Sequence, residues 1–505
     1  MDQDSSSTAH QERRISTGNE GLDNILGGGF DADRMYLYEG RPGTGKTTLA
    51  LEFLLDGVCN GEKTLYISLS ETQRELELVA SRHGWDVSKV DIFELIPPET
   101  TLDRTQELTV LHPAEVDLAE TTKLILDRVE EHSPQRVVID SLSELRLLAQ
   151  SSLRYRRQVL ALKHFFASRA CTVVLLDDMT SHENDLQLHS ICHGVVLLEQ
   201  LAIEYGAERR RLRVVKMRGI NFRGGYHDLT IRKGGLEIYP RLVAAEHHTS
   251  FLGEFTKSGN AELDKLLGGG LERGTNVLLI GAAGVGKSSL AVTYAIAAAE
   301  RGEKSAFFAF DEGRGTIEAR ARTLGLHLQP ALDAGLVLFQ QIDPAELSPG
   351  EFAKIVRERV QKDGARIVVI DSLNGYLNAM PDGRFLILQM HELLTFLAQQ
   401  GVLTILVMAQ HGLVGPMETP LDISYLSDAV LMLRYFEYAG TVRRALSVVK
   451  KRSGEHEHTI REFKLSSHGL VLGPPLKEFS GVLSGTPTYI GGGEPLLGSD
   501  PERGA

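Results

Sequence analysis

Two octapeptides in this chain have the residue types and spacing to hold a nucleoside triphosphate. They are Gly40-Arg41-Pro42-Gly43-Thr44-Gly45-Lys46-Thr47 and Gly281-Ala282-Ala283-Gly284-Val285-Gly286-Lys287-Ser288. Both fit G-x-x-x-x-G-K-[ST], the phosphate-cradling P-loop. The glycines let the backbone curl until several N–H groups point at phosphate oxygens. The lysine ammonium reaches the β- and γ-phosphates, and the hydroxyl of Thr47 or Ser288 ligates Mg²⁺. Thr48 and Ser289, next along the chain, complete the expected ATP contacts. One such match can be accidental; two of them predict ATP and Mg²⁺ as cofactors.

Three further constellations recur in both copies. Val137-Val138-Ile139-Asp140-Ser141 and Val368-Val369-Ile370-Asp371-Ser372 are apolar runs ending in aspartate. At the carboxyl end of a parallel strand, Asp140 and Asp371 would support the metal. Glu71 and the pair Asp311-Glu312 follow the next predicted strand, where a carboxylate can orient an attacking water or accept a hydroxyl proton. An acid that merely caps a helix N-terminus is the competing reading. Each copy also has a late basic strand, residues 209–218 and 443–452. Its cations fit fingers that complete a neighbouring subunit's site, a charged edge strand that blocks aggregation, or a nucleic-acid stripe.

The elements that must position these groups follow from periodicity. Short apolar runs precede each P-loop (35–38 and 276–280), and helical patterns follow it, which points each helix N-terminus at the phosphates. Near-continuous apolar strands then alternate with helices. That pattern predicts an α/β fold with a mainly parallel central sheet covered on both faces. Residues 194–199, 212–215, 429–433 and 445–449 read as antiparallel additions at the sheet edges. Lys46 and Lys287 are 241 residues apart, as are Gly18 and Gly259, and Glu71 and Glu312. One long offset means a duplicated domain. The expected organisation is a disordered tail (1–12), two tandem domains (13–247 and 248–488) and a second disordered tail (489–505).

Composition sets the remaining bounds. The 505 residues are 42% apolar and 24% charged, an ordinary globular balance. No run approaches the roughly 20 apolar residues of a membrane helix. The polar N-terminus does not read as a secretory signal, and three cysteines (Cys59, Cys171, Cys192) form no disulfide framework. A cytoplasmic setting without membrane partners is expected. A net charge of −13 argues against a nucleic-acid partner and so against the rival reading, a DNA-dependent ring motor. A nucleotide-switched scaffold with little turnover is the other alternative.

With these pieces assembled, the chain from about residue 16 to 490 resembles the KaiC family, the two-domain circadian-clock ATPases and autokinases of the RecA-like superfamily. The carriers are the paired P-loops, the leaders Thr17-Gly18-Asn19 to Gly27-Gly28-Gly29 and Ser258-Gly259-Asn260 to Gly268-Gly269-Gly270, Ile-Asp-Ser-Leu in both copies, Lys216-Met217-Arg218-Gly219 and Ile460-Arg461-Glu462-Phe463. The resemblance implies two tandem RecA-like P-loop domains in a double-ring homohexamer with ATP between subunits. It assigns Lys216, Met217 and Arg218, and Lys450, Lys451 and Arg452, to ATP held by a neighbour's P-loop, and Arg444 to a further second-ring ATP contact. It implies a slow ATPase in the first ring and, in the second, serine/threonine autokinase chemistry on a Ser-Thr pair. Ser424 matches the acceptor serine, but Tyr425 stands where the threonine is expected. The first ring has Ser70-Glu71 where the family has two glutamates, and Asp311 shortens the second ring's first acid by a methylene. Clock or signalling proteins are the partners implied.

Overall fold

The computed structural model describes residues 13–95, 113–149, 151–179, 186–202, 205–251, 253–377, 383–410, 424–483 and 487–490. The chain divides into two compact units, residues 1–241 and 242–505. The turn Ala244–Glu246, read from sequence as the end of the first domain, falls in the second unit, where the Ala244 N–H donates to Glu392. Residues 1–12 and 491–505 lie outside the described residues. Of the span read as a C-terminal tail, Tyr489 is in a short strand paired with Phe479.

Each unit is built on one nine-stranded sheet with the same strand order. In the first it runs Gly235–Tyr239, His227–Arg232, Arg209–Met217, Gly194–Leu201, Met35–Glu39, Thr172–Asp177, Arg136–Asp140, Thr64–Ser68, Asp91–Glu94. The six strands from Gly194–Leu201 to Asp91–Glu94 are parallel, and the other three add antiparallel. The second unit matches it, with Asn276–Gly281 as the P-loop strand between Leu403–Ala409 and Ala429–Tyr438. One expectation is corrected. Residues 194–201 and 429–438 pair parallel to the P-loop strand, and the antiparallel additions begin one strand later. In the first unit the reason is local: the helix Leu186–Ile191, not a hairpin turn, leads into the strand.

The central parallel strands are buried because each face has its own cover, while the outer strands Asp91–Glu94 and Val337–Gln341 are only partly so. Tyr36 and Tyr38 point into a core with Leu49 and Phe53 of the P-loop helix Lys46–Cys59. Met35 and Leu37 point the other way, against Ile125, Val129, Val159 and Phe166 of the helices Pro113–His132 and Ser152–Ala167. That period of two is the pleat read out as two cores. Several helix starts follow capping chemistry: Thr72 and Glu75 form a capping box, and the Ser348 side chain caps a helix that opens on Pro349. The P-loop helices break that rule. Gly45 and Gly286 occupy the cap positions at φ 103° and 117°, with no side chain on the first N–H groups.

Candidate nucleotide sites

That missing cap is the first property of the sites. Each P-loop helix presents unsatisfied N–H groups and the positive end of its dipole at the loop, an arrangement ready for an anion. The loops themselves are tight. A Cβ on Gly40 would lie 2.4 Å from the Leu198 carbonyl oxygen, and one on Gly281 would lie 2.1 Å from that of Leu433. Gly43 and Gly284 are left-handed at φ 84° and 74°. Thr44 is buried and closes the first turn by donating to the Arg41 carbonyl at 2.9 Å. Val285, Thr48 and Ser289 are buried around the same turns.

In the first site the Lys46 ammonium donates to the Gly40 carbonyl (2.6 Å) and the Arg41 carbonyl (3.1 Å), and pairs with Asp178 at 2.9 Å. The Thr47 hydroxyl donates to Asp140 Oδ2 at 3.3 Å, and the Tyr66 hydroxyl donates to the same oxygen. Asp140 is buried, and burial pushes its carboxyl up, with the Tyr66 hydrogen bond pulling it back. The Glu71 backbone N–H donates to the Ser68 hydroxyl at 3.0 Å. That contact anchors the turn, while Glu71 Oε2 is buried without a partner. Burial, then the charges of Asp140, Glu75 and Asp178, push the Glu71 carboxyl up, opposed by Lys46. Helix capping does not engage Glu71, since Thr72 and Glu75 cap the helix that follows.

The second site repeats the frame with different wiring. Lys287 donates to the Gly281 (2.9 Å) and Ala282 (2.7 Å) carbonyls. Burial pushes its ammonium down to about 8, and Asp371 acts against that. Burial also pushes Asp371 up to about 6, with the Ser288 hydrogen bond pulling down and Glu312 pushing up. Asp311 accepts the Ser372 hydroxyl. Glu312 pairs with Arg320 at 2.7 Å through one oxygen, and its Oε2 is buried without a partner. Both sites share a cis peptide after the strand-end aspartate, Asp140-Ser141 and Asp371-Ser372.

These residues fit MgATP. Each site has an uncapped helix N-terminus and a P-loop lysine held only by carbonyls and, in the first, by a carboxylate. Each also has a hydroxyl beside a buried aspartate, and a buried carboxylate oxygen awaiting a partner.

The basic strands are split between the two ends of their sheets. In strand Arg209–Met217, Arg209 pairs with Leu201 and Met217 with Gly194, so its two ends lie at the P-loop end and the opposite end of the parallel strands. Arg210 sits at its own P-loop and donates to the Gly43 carbonyl at 3.1 Å. Arg444 likewise pairs with Tyr435, whose hydroxyl lies against Gly284, so Arg444 belongs to the P-loop end of its own sheet. Lys216, Arg218, Lys450 and Arg452 lie at the far end, away from their own loops. Lys216 donates to the Cys192 carbonyl (2.9 Å) and Arg218 to that of Ser190 (2.7 Å). The Met217 side chain is core, lying under Gly194, so no ATP contact can come from its thioether. Lys451 turns back to the Leu267 carbonyl of its own unit at 2.6 Å.

Ser424 opens the short turn Ser424–Leu426 just before the strand Ala429–Tyr438. The far-end cations hold this segment. Arg452 donates to the Tyr425 carbonyl (3.0 Å) and pairs with Asp428 (3.2 Å), and Lys450 donates to the Ser427 carbonyl (2.8 Å). The Ser424 side chain lies outside the described residues.

Sequence reading missed Asp178, Tyr66 and Arg320 as members of these sites. Asp178 had a usable signal, an acid at the end of the strand beside the P-loop strand. Tyr66 and Arg320 had none. Among the described residues, no helix is long and apolar enough to cross a membrane.

Comparison with known proteins agrees with this geometry. The family profile described as "ATPase: KaiC" matches residues 15–243 and again 256–477. The circadian clock oscillator protein KaiC of Acaryochloris marina is 26% identical over 485 residues, covering 94% of this chain and 92% of that protein. That of Picosynechococcus sp. is 27% identical over 495 residues, covering 95% and 93%. The circadian clock protein KaiC3 of Synechocystis sp. is 25% identical over 489 residues, covering 94% and 95%. With one profile matched twice, across two P-loop units of the same strand order, this chain belongs to the KaiC family of ATPases.

Proposed function

We propose that this protein hydrolyses ATP at sites shared between neighbouring copies in a homohexameric ring, and that the second ring also transfers phosphate to Ser424. The observation that carries the reading is the split of the basic strand. A P-loop stands at the carboxyl end of each sheet's parallel strands, and a pair of cations with no P-loop beside it stands at the opposite end of the strands. Head-to-tail packing of copies would bring the two ends together, and a rotation that closes gives a ring.

In this reading Lys46 and Lys287 bind the β- and γ-phosphates, and the uncapped N–H groups of the loops orient them. Thr47 with Asp140, and Ser288 with Asp371, hold Mg²⁺, which when bound offsets phosphate charge. Glu71 and Glu312 position the nucleophile through the oxygen that lacks a partner. Lys216 with Arg218, and Lys450 with Arg452, neutralise charge that develops on the neighbour's phosphates. Ser424 fits the acceptor role because its turn is tied to those same cations.

Mixing tests the shared site. Copies carrying Lys216→Ala with Arg218→Ala, and copies carrying Lys46→Ala, should each lose first-site turnover. A random one-to-one mixture assembled together should regain about a quarter of it, since that share of interfaces is intact. Full independence of the two lesions, with no recovery on mixing, refutes shared sites. Phosphosite mapping after incubation with Mg-ATP should find Ser424 modified, and Ser424→Ala should remove the label.

A further inference from the structure

The two sites differ in what touches the second oxygen of their glutamate. In both copies Oε2 is buried and unpartnered, so the same oxygen is left for a ligand. In the second copy the other oxygen, Glu312 Oε1, lies 2.7 Å from Arg320 Nη1. Arg320 sits on the helix Arg314–Thr323, eight residues beyond the glutamate. The matching position on the first unit's helix Gln73–His83 is Val79, which has nothing to donate. A guanidinium at this distance makes a charge-assisted bond and draws electron density away from the free oxygen. A carboxylate held this way is a weaker acceptor for a nucleophile's proton.

We propose that Arg320 is a positioning residue that attenuates Glu312, so the second site hydrolyses ATP more slowly than the first because of a contact inside its own chain. The proposal rests on the reading that Glu71 and Glu312 act on the nucleophile. Asp371 and Asp311 are the other acids near Glu312; Arg320 forms its ion pair with Glu312, while its charge also pulls the Asp371 carboxyl down.

The test is a reciprocal exchange in the full-length protein. A Glu71→Gln background leaves both P-loops intact and reports the second site alone. There, Arg320→Val should raise kcat about three- to tenfold with KM held within about twofold, and Arg320→Lys should keep the parental rate. In a Glu312→Gln background, Val79→Arg should lower first-site kcat by a similar factor. An Arg320→Val kcat that is unchanged or lower overturns the proposal, and thermal melting separates that result from misfolding. The double variant Glu71→Gln, Glu312→Gln tests the reading beneath. If it retains full turnover, the glutamates are not the groups at work and the proposal falls with them; if it is inactive, the Arg320 result stands on its own.

Discussion

Lys46 Nζ lies 2.9 Å from Asp178 Oδ1, so the first site's P-loop lysine is held by a carboxylate where a phosphate would otherwise bind. Asp178 is the residue just past the strand beside the P-loop strand, and Ala409 ends the matching strand in the second unit. A nucleotide entering the first site must break this pair, and its γ-phosphate would then face the Asp178 charge. Asp178→Asn should therefore tighten first-site ATP binding by about three- to tenfold, the value of a partly buried ion pair of about 1 kcal/mol. Nucleotide titration of a Lys287→Ala variant measures it. Weaker binding would mean that Asp178 supports the bound state instead.

The second site should bind MgATP best between about pH 6 and pH 8. Lys287 titrates near 8 in the ligand-free protein, against an ordinary 10.5. Phosphate needs the charged ammonium, so affinity should fall above about pH 8, by up to about tenfold per unit. Asp371 titrates near 6, against 3.8, and the metal needs it ionised, so Mg²⁺-dependent affinity should fall below about pH 6. The ligand-free fold responds in the opposite sense. Between 8 and 10.5 the unfolded chain holds more protons on this lysine, so stability rises with pH there. Between 3.8 and 6 the native state holds more protons on Asp371, so stability falls as pH rises. Calorimetric titration of a Lys46→Ala variant across this range checks the bell, and a flat profile would contradict it.

The parts of the sites that were legible in the sequence are those made by short runs of chain. Lys46, Thr47 and the loop glycines act through a local backbone turn, so spacing alone reveals them. Asp140 was legible because it ends an apolar strand, and strand ends are where α/β sheets place ligands. The fold class followed from the same buried runs. What spacing does not encode is which strands lie side by side. The pairing of residues 194–201 depends on a crossover through the helix before it, and that pairing decides which end of 209–217 meets the P-loop. Arg210 and Arg444 therefore read as part of one basic stripe with Lys216 and Lys450, although they sit at opposite ends of their strands. Met217 was assigned by the resemblance, and its core side chain is placed by the strand's alternation, which the motif does not show. Asp178 and Arg320 act through single side-chain pairs, and nothing local marks a pair that forms only after folding.

Stability of the first unit should depend on one buried guanidinium. Arg136 is 2% exposed and pairs with Glu62 (2.5 Å) and Asp56 (2.8 Å), while donating to the Phe53 (2.7 Å) and Ser16 (3.1 Å) carbonyls. It thereby ties the P-loop helix and its leader to the strand that carries Asp140. Arg136→Ala should destabilise this unit by about 3–5 kcal/mol, because two carboxylates and two carbonyls lose their partner. Ile367 opens the matching strand in the second unit, so that unit's transition should not move. Denaturant unfolding followed by the fluorescence of Trp85, the chain's single tryptophan, reports the first unit, and far-UV circular dichroism, which reports both, reads the difference.

Two glycines of the first P-loop should fail in different ways. A Cβ on Gly40 meets the Leu198 carbonyl oxygen at 2.4 Å, and that oxygen belongs to the strand next to the loop. Neither side can yield without moving sheet backbone, so Gly40→Ala should destabilise the unit by about 1–3 kcal/mol or more. Gly43 is left-handed at φ 84°, but a Cβ there meets only the end of the Gln200 side chain at 3.3 Å. Its cost is the conformational penalty of about 1 kcal/mol for an L-residue in that region. Gly43→Ala should therefore melt close to the parent while losing ATP affinity, since the turn that aims the N–H groups shifts. Gly40→Ala should lose both together. Equal melting temperatures for the two variants would show that the contact with Leu198 relaxes more freely than sheet backbone allows.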